Sequence, residues 1–422
     1  MNKIRTELNF KIANNLTLFR SLSNSLIYVF LPLYYFQLGI NLVNIGAIVA
    51  FSVIATNLAK IYGGSLADNF NRKKIMIWSS ILMAITNFSL LFFTSELYFI
   101  LRGIIFGLAY AMFIPSYSSY VWDISEKTKL ATHNAIRSIY RYSGLILAPP
   151  IGGLIIYFYG FNALFIISVL IGIYSIYLIN KFTEFKHKNR LPKLNKIWEN
   201  YRNIGITHGF TFLSFIHLIK ASFGLIWHTF ILIYLKNVVG YDFWQAGLVI
   251  TGAYIILLPF QIPLGRLSDK FHSKWLIIPG FILLGLSMKL FFVYNHFLSY
   301  VIAAGGVSIG LLAIGRPIYV RLAEMTPDSK HGKALALFEA ISWGLAAIVL
   351  FYAGELAESE SIFFVMNHAA SLAIGIGLIL IMFHRKISWK YGNYLKRHHM
   401  MQLYTPIDKF VDSFPFLSKG FK

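Results

Sequence analysis

Almost all acidic residues of this 422-residue chain lie in polar stretches or at the ends of apolar runs; Glu339 falls well inside one, about two turns from its start. A carboxylate so placed can carry a proton through a low-dielectric interior, or form a structural ion pair with a base such as Arg137 or Arg141. Arg141, about ten residues into another run, sits near mid-depth, where its guanidinium asks for an anionic ligand group or for Glu339. His217 and Lys220 are one helical turn apart and are followed by Trp227 and His228. Because imidazole titrates in the physiological range, they read either as a second proton-coupling site or as polar helix contacts. Arg20 and Lys220 lie roughly 28–30 Å from Gly39 and Gly240 at 1.5 Å per residue, so each is a cavity cation or an anchor at a helix rim. Lys60 carries the same two readings, cavity cation or rim anchor.

Equally informative is the chemistry that is missing. The sequence shows no clustered carboxylates, no Ser/His or Lys dyad and no His or Asp spacing suited to a metal, and His398-His399 is a pair without partners. It has no phosphate-binding glycine loop and no cysteine, so disulfides, thiolate sites and cysteine nucleophiles are excluded. The chain reads as a non-enzyme with no cofactor and no metal.

These side chains must be positioned by membrane helices. Hydrophobic residues make up 57% of the chain and charged residues 13%, and mean hydropathy is +0.63, more apolar surface than a water-soluble domain can bury. Twelve apolar runs, each long enough to cross a hydrocarbon core of about 30 Å, lie near 16–38, 42–64, 74–94, 97–121, 132–158, 161–181, 208–235, 243–265, 275–295, 297–321, 333–354 and 362–384. The fold class is an all-α integral membrane protein. A net charge of +21 could suggest nucleic acid, but the bases fall in alternate loops, as membrane topology requires. That pattern puts both termini in the cytoplasm, with the first span a retained helix and not a cleaved signal peptide. The segments after Lys181 and after Arg385 interleave aromatic and basic residues, fitting either a lipid-surface element or a solvated connector.

The stretch from Gly64 to Lys73 returns from Gly265 to Lys274 at an offset of 201 residues, which also superposes Gly39 on Gly240 and Gly46 on Gly247. The chain is a duplication of one six-span unit, a mark of secondary transporters. We expect an N-terminal bundle over 1–182, a basic linker over 183–206, a C-terminal bundle over 207–386 and a basic tail over 387–422.

The repeated loop resembles the signature between the second and third helices of the major facilitator superfamily. Gly64, Asp68, Arg72 and Lys73 fit it in the first copy, and Gly265, Asp269, Lys270 and Lys274 in the second, while Asn69, Asn71 and His272 depart from it. The resemblance implies twelve helices in two six-helix bundles and a gating role for Asp68 and Asp269; a helix cap with retained positive charge is the plainer alternative. Gly144, Ala148, Pro149, Gly152 and Gly153 of the fifth span resemble the family's antiporter motif, with Ala148 in place of a glycine. Arg102, five residues before Gly107, is similar to a family arginine that assists proton transfer; the spacing is one residue too long, which rotates it by about 100° and leaves a cavity-facing or an outward position open.

The resemblance implies alternating access by a single copy of the chain in the plasma membrane, with membrane lipids, a small-molecule substrate and protons as partners and no nucleic acid. Proton-coupled export of a drug-like compound or small metabolite leads. Uptake or exchange of an organic anion, sugar phosphate or carboxylate comes second, and a non-transporting receptor on the same fold is the remote alternative.

Overall fold

The computed structural model describes residues 3–125, 130–183, 208–271, 273–326 and 331–382. The basic linker beyond Thr183, the whole tail, His272 and the side chains of Asp68 and Lys270 lie outside the described residues.

Among the described residues twelve α-helices follow in order: α1 (Lys3–Gln37), α2 (Leu42–Asn69), α3 (Arg72–Phe88), α4 (Glu96–Ile124), α5 (Leu130–Asn180), α6 (His208–Asn237), α7 (Phe243–Leu257), α8 (Gln261–Lys270), α9 (Lys274–Val293), α10 (Phe297–Met325), α11 (His331–Ser359) and α12 (Ile362–Met382). No strand occurs among the described residues. They supply eleven apolar stretches long enough to cross a membrane, one of which runs 48 residues from His133 to Asn180. At 1.5 Å per residue that stretch is about 72 Å long, enough for two crossings of a core of about 30 Å. Its break is Gly160, at φ 77° and ψ 178°, a conformation that only glycine adopts without a Cβ clash. The expected fifth and sixth spans are therefore one element folded at a single residue. Conversely, the eighth span is divided: Pro259 lacks an N–H, a 3-10 turn covers Leu258–Phe260, and α8 resumes at Gln261.

The duplication is visible in the turns. Gly39 and Gly240 share φ values of 82° and 85°. Asn41 caps α2 by accepting from the Asn44 N–H at 2.8 Å. At the matched place before α7, the Asp242 N–H donates to the Gln245 side chain at 2.9 Å. Ser95 and His296, also 201 residues apart, both cap with their side chains, on α4 and α10.

Eight elements close into a ring. α1 packs on α5, α5 on α7, α7 on α10, α10 on α6, α6 on α11, α11 on α2, α2 on α4, and α4 returns to α1. α3 packs on α4 and α5, α9 packs on α10, and α12 packs on α9, so these elements buttress the ring. The two halves meet mainly along two seams, α2 against α11 and α5 against α7. The turns after α2, α4, α8 and α10, with both ends of the described chain, share one face, hereafter the basic face; Gly39, Gly160 and Gly240 mark the far face.

Candidate functional site: the cleft between the halves

Both seams are shut from the far face inward. On α2 and α11, a Cβ placed on Gly46 would stand 3.1 Å from the Leu350 carbonyl, and one on Gly354 2.6 Å from that of Leu42. Glu358 reaches across to accept the Leu42 N–H at 2.7 Å, putting a carboxylate on the positive end of α2. On α5 and α7, a Cβ on Gly153 would stand 2.5 Å from the Phe243 carbonyl, and Gly247 lies directly on Pro149. Small residues thus let backbones of opposite halves touch.

Each seam ends in a polar contact at comparable depth. The Lys60 ammonium on α2 lies 2.8 Å from the Glu339 carboxylate on α11, and their side chains are 25% and 19% exposed. On the other seam the Gln261 amide of α8 donates to the Tyr142 hydroxyl of α5 at 2.7 Å. Lys60 and Gln261 are 201 residues apart, so one ancestral position closes both seams. Closer to the basic face the halves part: a Cβ on Gly64, Gly265 or Gly332 would meet nothing within 4 Å. The cleft is open to the basic face and closed to the far one.

Glu339 anchors a buried polar network. The Tyr319 hydroxyl of α10 donates to Glu339 at 3.3 Å and lies 3.1 Å from Nε2 of His217 on α6. Because the hydroxyl proton goes to the carboxylate, the imidazole proton of His217 resides on Nε2. His217 is fully buried among the rings of Tyr319, Phe338 and Trp343, and its Nδ1 has no partner among the described residues. Lys220 lies 5.5 Å from the Trp343 ring centre and packs over Gly315, without hydrogen bond or ion pair among the described residues. Asn57 accepts from Lys60 at 2.9 Å, fixing the ammonium between amide and carboxylate.

The pairing expected for Glu339, with Arg137 or Arg141, is not the one formed, and Lys60 is no rim anchor. The ammonium is held across the seam by the carboxylate and the Asn57 amide instead of turning out to the rim. Arg137 binds the Asn134 amide oxygen at 3.0 Å, and its guanidinium lies 5.8 Å from the Tyr117 ring centre. Arg141 is exposed, 5.0 Å from the ring centre of Tyr142. Arg20 lies inside the first half, with its guanidinium 3.2 Å from the Phe113 ring centre and donating to Met83 Sδ at 3.1 Å. Arg102 takes neither of its expected positions. It is 5% exposed and donates to the Thr86 carbonyl at 3.1 Å and to the Asn87 side chain at 2.7 Å, tying α4 to the end of α3.

In the repeated loops, Arg72 pairs with Asp123 at the end of α4 and also donates to the Ala67 and Ser119 carbonyls. Asp123 has its counterpart 201 residues on in Glu324, which pairs with Arg321 and lies within electrostatic reach of Asp269. Lys73 occupies the first turn of α3 and Lys274, at the start of α9, lies 5.1 Å from the Trp275 ring centre. In the fifth-span motif, Gly144 and Gly152 face α1, and Ala148 is fully buried. Pro149 and Pro150 lie within the helix. Pro150 cannot donate to the Ile146 carbonyl, and Thr251 of α7 does so instead at 2.8 Å. Tyr319, Gln261, Tyr142 and Arg316 were missed in the sequence; the signal that could have found one of them is the 201-residue offset linking Lys60 to Gln261.

A duplicated, membrane-spanning ring of helices around a cleft between its halves is the architecture of a secondary transporter. The chain belongs to the Major Facilitator Superfamily, whose family model matches residues 15–235 and 210–393. It is 23% identical to a multi-drug resistance efflux pump PmrA homolog of Lactococcus lactis over 90% of this chain and 94% of that protein. It is 27% identical to the quinolone resistance protein NorA of Staphylococcus aureus over 66% of this chain and 72% of that one. Among solved structures, nucleoside transporter NupG matches with a TM-score of 0.74 at 12% identity, covering 89% of this chain and 99% of NupG. A peptide transporter POT matches with a TM-score of 0.74 at 15% identity, covering 90% and 94%. The likeness to these two is one of fold.

Proposed function

We propose that this transporter exports a drug-like compound or small metabolite in exchange for protons, from a plasma membrane in which both termini are cytoplasmic. The observation that carries the reading is the Lys60–Glu339 pair, a carboxylate of one half bound to a base of the other at the point where the cleft begins. With the cleft open to the cytoplasm, Glu339 is ionised and held by Lys60 and Tyr319, the state left after a proton has been released inside. Cargo then binds and the halves rock, which parts Glu339 from Lys60; Glu339 takes up a proton from the outside, the halves return with the carboxyl neutral, and the proton is released inside as the pair with Lys60 forms again. His217, through Tyr319, sets the hydrogen-bonding of the carboxylate. The Arg72–Asp123 pair and the repeated loops, including Asp68 and Asp269, gate the cytoplasmic side. The efflux-pump relatives support the direction.

The test is the internal pH of proteoliposomes while cationic, neutral and anionic aromatic compounds are added, with Glu339→Gln alongside. Proton movement that depends on a compound and is lost in the variant is expected; none with any compound overturns the reading.

A further inference from the structure

A second pair of charged groups faces the same cleft from opposite halves. Arg316 of α10 donates to the Gln261 amide oxygen at 2.8 Å, and Gln261 donates in turn to the Tyr142 hydroxyl at 2.7 Å. Arg141 stands beside that hydroxyl's ring, 5.0 Å from its centre. One tyrosine–glutamine bridge therefore separates two guanidinium groups. Their depths agree: Arg141 is eleven residues from the start of α5 and Arg316 nine from the end of α10, about 16 Å and 14 Å from the basic face.

Both arginines are exposed, at the edge where the α5–α7 seam gives way to open space around Gly265. The ion pairs among the described residues join Lys60 to Glu339, Arg72 to Asp123, Lys236 to Asp242 and Arg321 to Glu324, so no described acid neutralises either arginine. The Arg141 side chain makes no hydrogen bond among the described residues, and Arg316 uses one of its five N–H donors. Two uncompensated guanidinium forks at membrane depth are costly, and their planar donors match a carboxylate. Around them the wall is aromatic. Tyr254 lies within electrostatic reach of Arg141, Tyr142 and Tyr28, and Tyr28 is 58% exposed beside the buried Ile27 of α1, as a side chain lining the cleft would be.

We propose that Arg141 and Arg316 form an anion subsite, and that the cargo is an aromatic monoanion whose carboxylate lies between them while its ring packs on Tyr142, Tyr254 and Tyr28. The inference rests on the export reading for direction and adds the charge of what is carried. Since the arginines come from opposite halves at the inner end of the cleft, a bound carboxylate ties the two halves together there.

The test uses naphthoate, naphthamide and naphthylmethylammonium, three compounds of one ring system that differ in charge. Binding is measured by calorimetry on the full chain in neutral detergent, and flux in phosphatidylcholine vesicles, where no anionic headgroup competes. Naphthoate is expected to bind roughly tenfold or more tighter than naphthamide, with Arg141→Ala and Arg316→Ala each removing that advantage. Naphthamide binding, which needs neither charge, reports that the variants are folded; should Arg141→Ala lose it, Arg141→Gln takes its place. Naphthylmethylammonium or naphthamide binding as well as naphthoate, or variants that keep the preference, overturn the subsite. Adding phosphatidylglycerol to the vesicles separates sources: inhibition of binding by this lipid, with no naphthoate preference in its absence, would assign the arginines to a headgroup and overturn the proposal. Naphthoate binding without proton-linked flux would sustain the subsite and sink the export reading, so the two fail separately.

Discussion

The Ile146 carbonyl, which Pro150 leaves without its helical donor, accepts the Thr251 hydroxyl across the boundary between the halves at 2.8 Å. A kink within one half thus exposes an acceptor that the other half satisfies, and parting the far-side seam leaves that carbonyl without a partner. Thr251→Val should weaken the far-closed state by about 1 kcal/mol, roughly a fivefold change in its population relative to the opposite state. The chain has no cysteine, so a single Leu350→Cys reporter on the far part of α11 gives a clean readout. Its labelling by an impermeant maleimide should rise in the Thr251→Val background.

The Lys60–Glu339 pair calls for a double-mutant cycle. Lys60→Ala or Glu339→Gln alone should cost roughly 1–3 kcal/mol, between the values for exposed and buried pairs, and the double variant should recover part of the loss. Thermal unfolding in detergent reads the stability. Additive losses would show that the two groups do not interact.

Glycines on the seams and glycines in the loops should respond oppositely. Gly153→Ala forces a Cβ against the Phe243 carbonyl and should destabilise the protein by about 1–3 kcal/mol. Gly64→Ala meets open space, so stability should hold or rise by up to about 1 kcal/mol. Transport should nevertheless slow in Gly64→Ala, because the basic side must close around that position in the other half of the cycle. Unchanged flux would remove Gly64 from the gate.

Arg102 should behave as a structural residue. Arg102→Ala leaves the Thr86 carbonyl and the Asn87 amide without their charged donor, at a cost of roughly 1.5–3 kcal/mol. Proton movement per folded molecule should match that of the parent chain; a selective loss of coupling would return Arg102 to the proton pathway.

Apolar run lengths and the 201-residue repeat made the helical membrane fold legible, because both are set by hydrocarbon thickness and by covalent order. Glu339 was legible for the same reason: a lone carboxylate inside an apolar run has few explanations. Its partner was not, since Lys60 and Glu339 are 279 residues apart and only packing across the seam decides which base arrives. Arg102 shows the converse. Its position in a run left a cavity-facing and an outward reading open, and the end of α3 that it ties down is a tertiary neighbour that spacing does not reveal. Gln261 and Arg316 escaped notice because an amide in a broken helix and an arginine near a helix end are each unremarkable until placed side by side.

The division into an eight-element ring and its outer buttresses carries an evolutionary consequence. Selection for a new cargo acts on faces that the ring turns inward, whereas adaptation to a different lipid composition or temperature acts on α3, α9 and α12. Two kinds of change can therefore accumulate in one lineage with little interference, and a descendant with altered specificity need not rebuild the surface that its membrane already accepts.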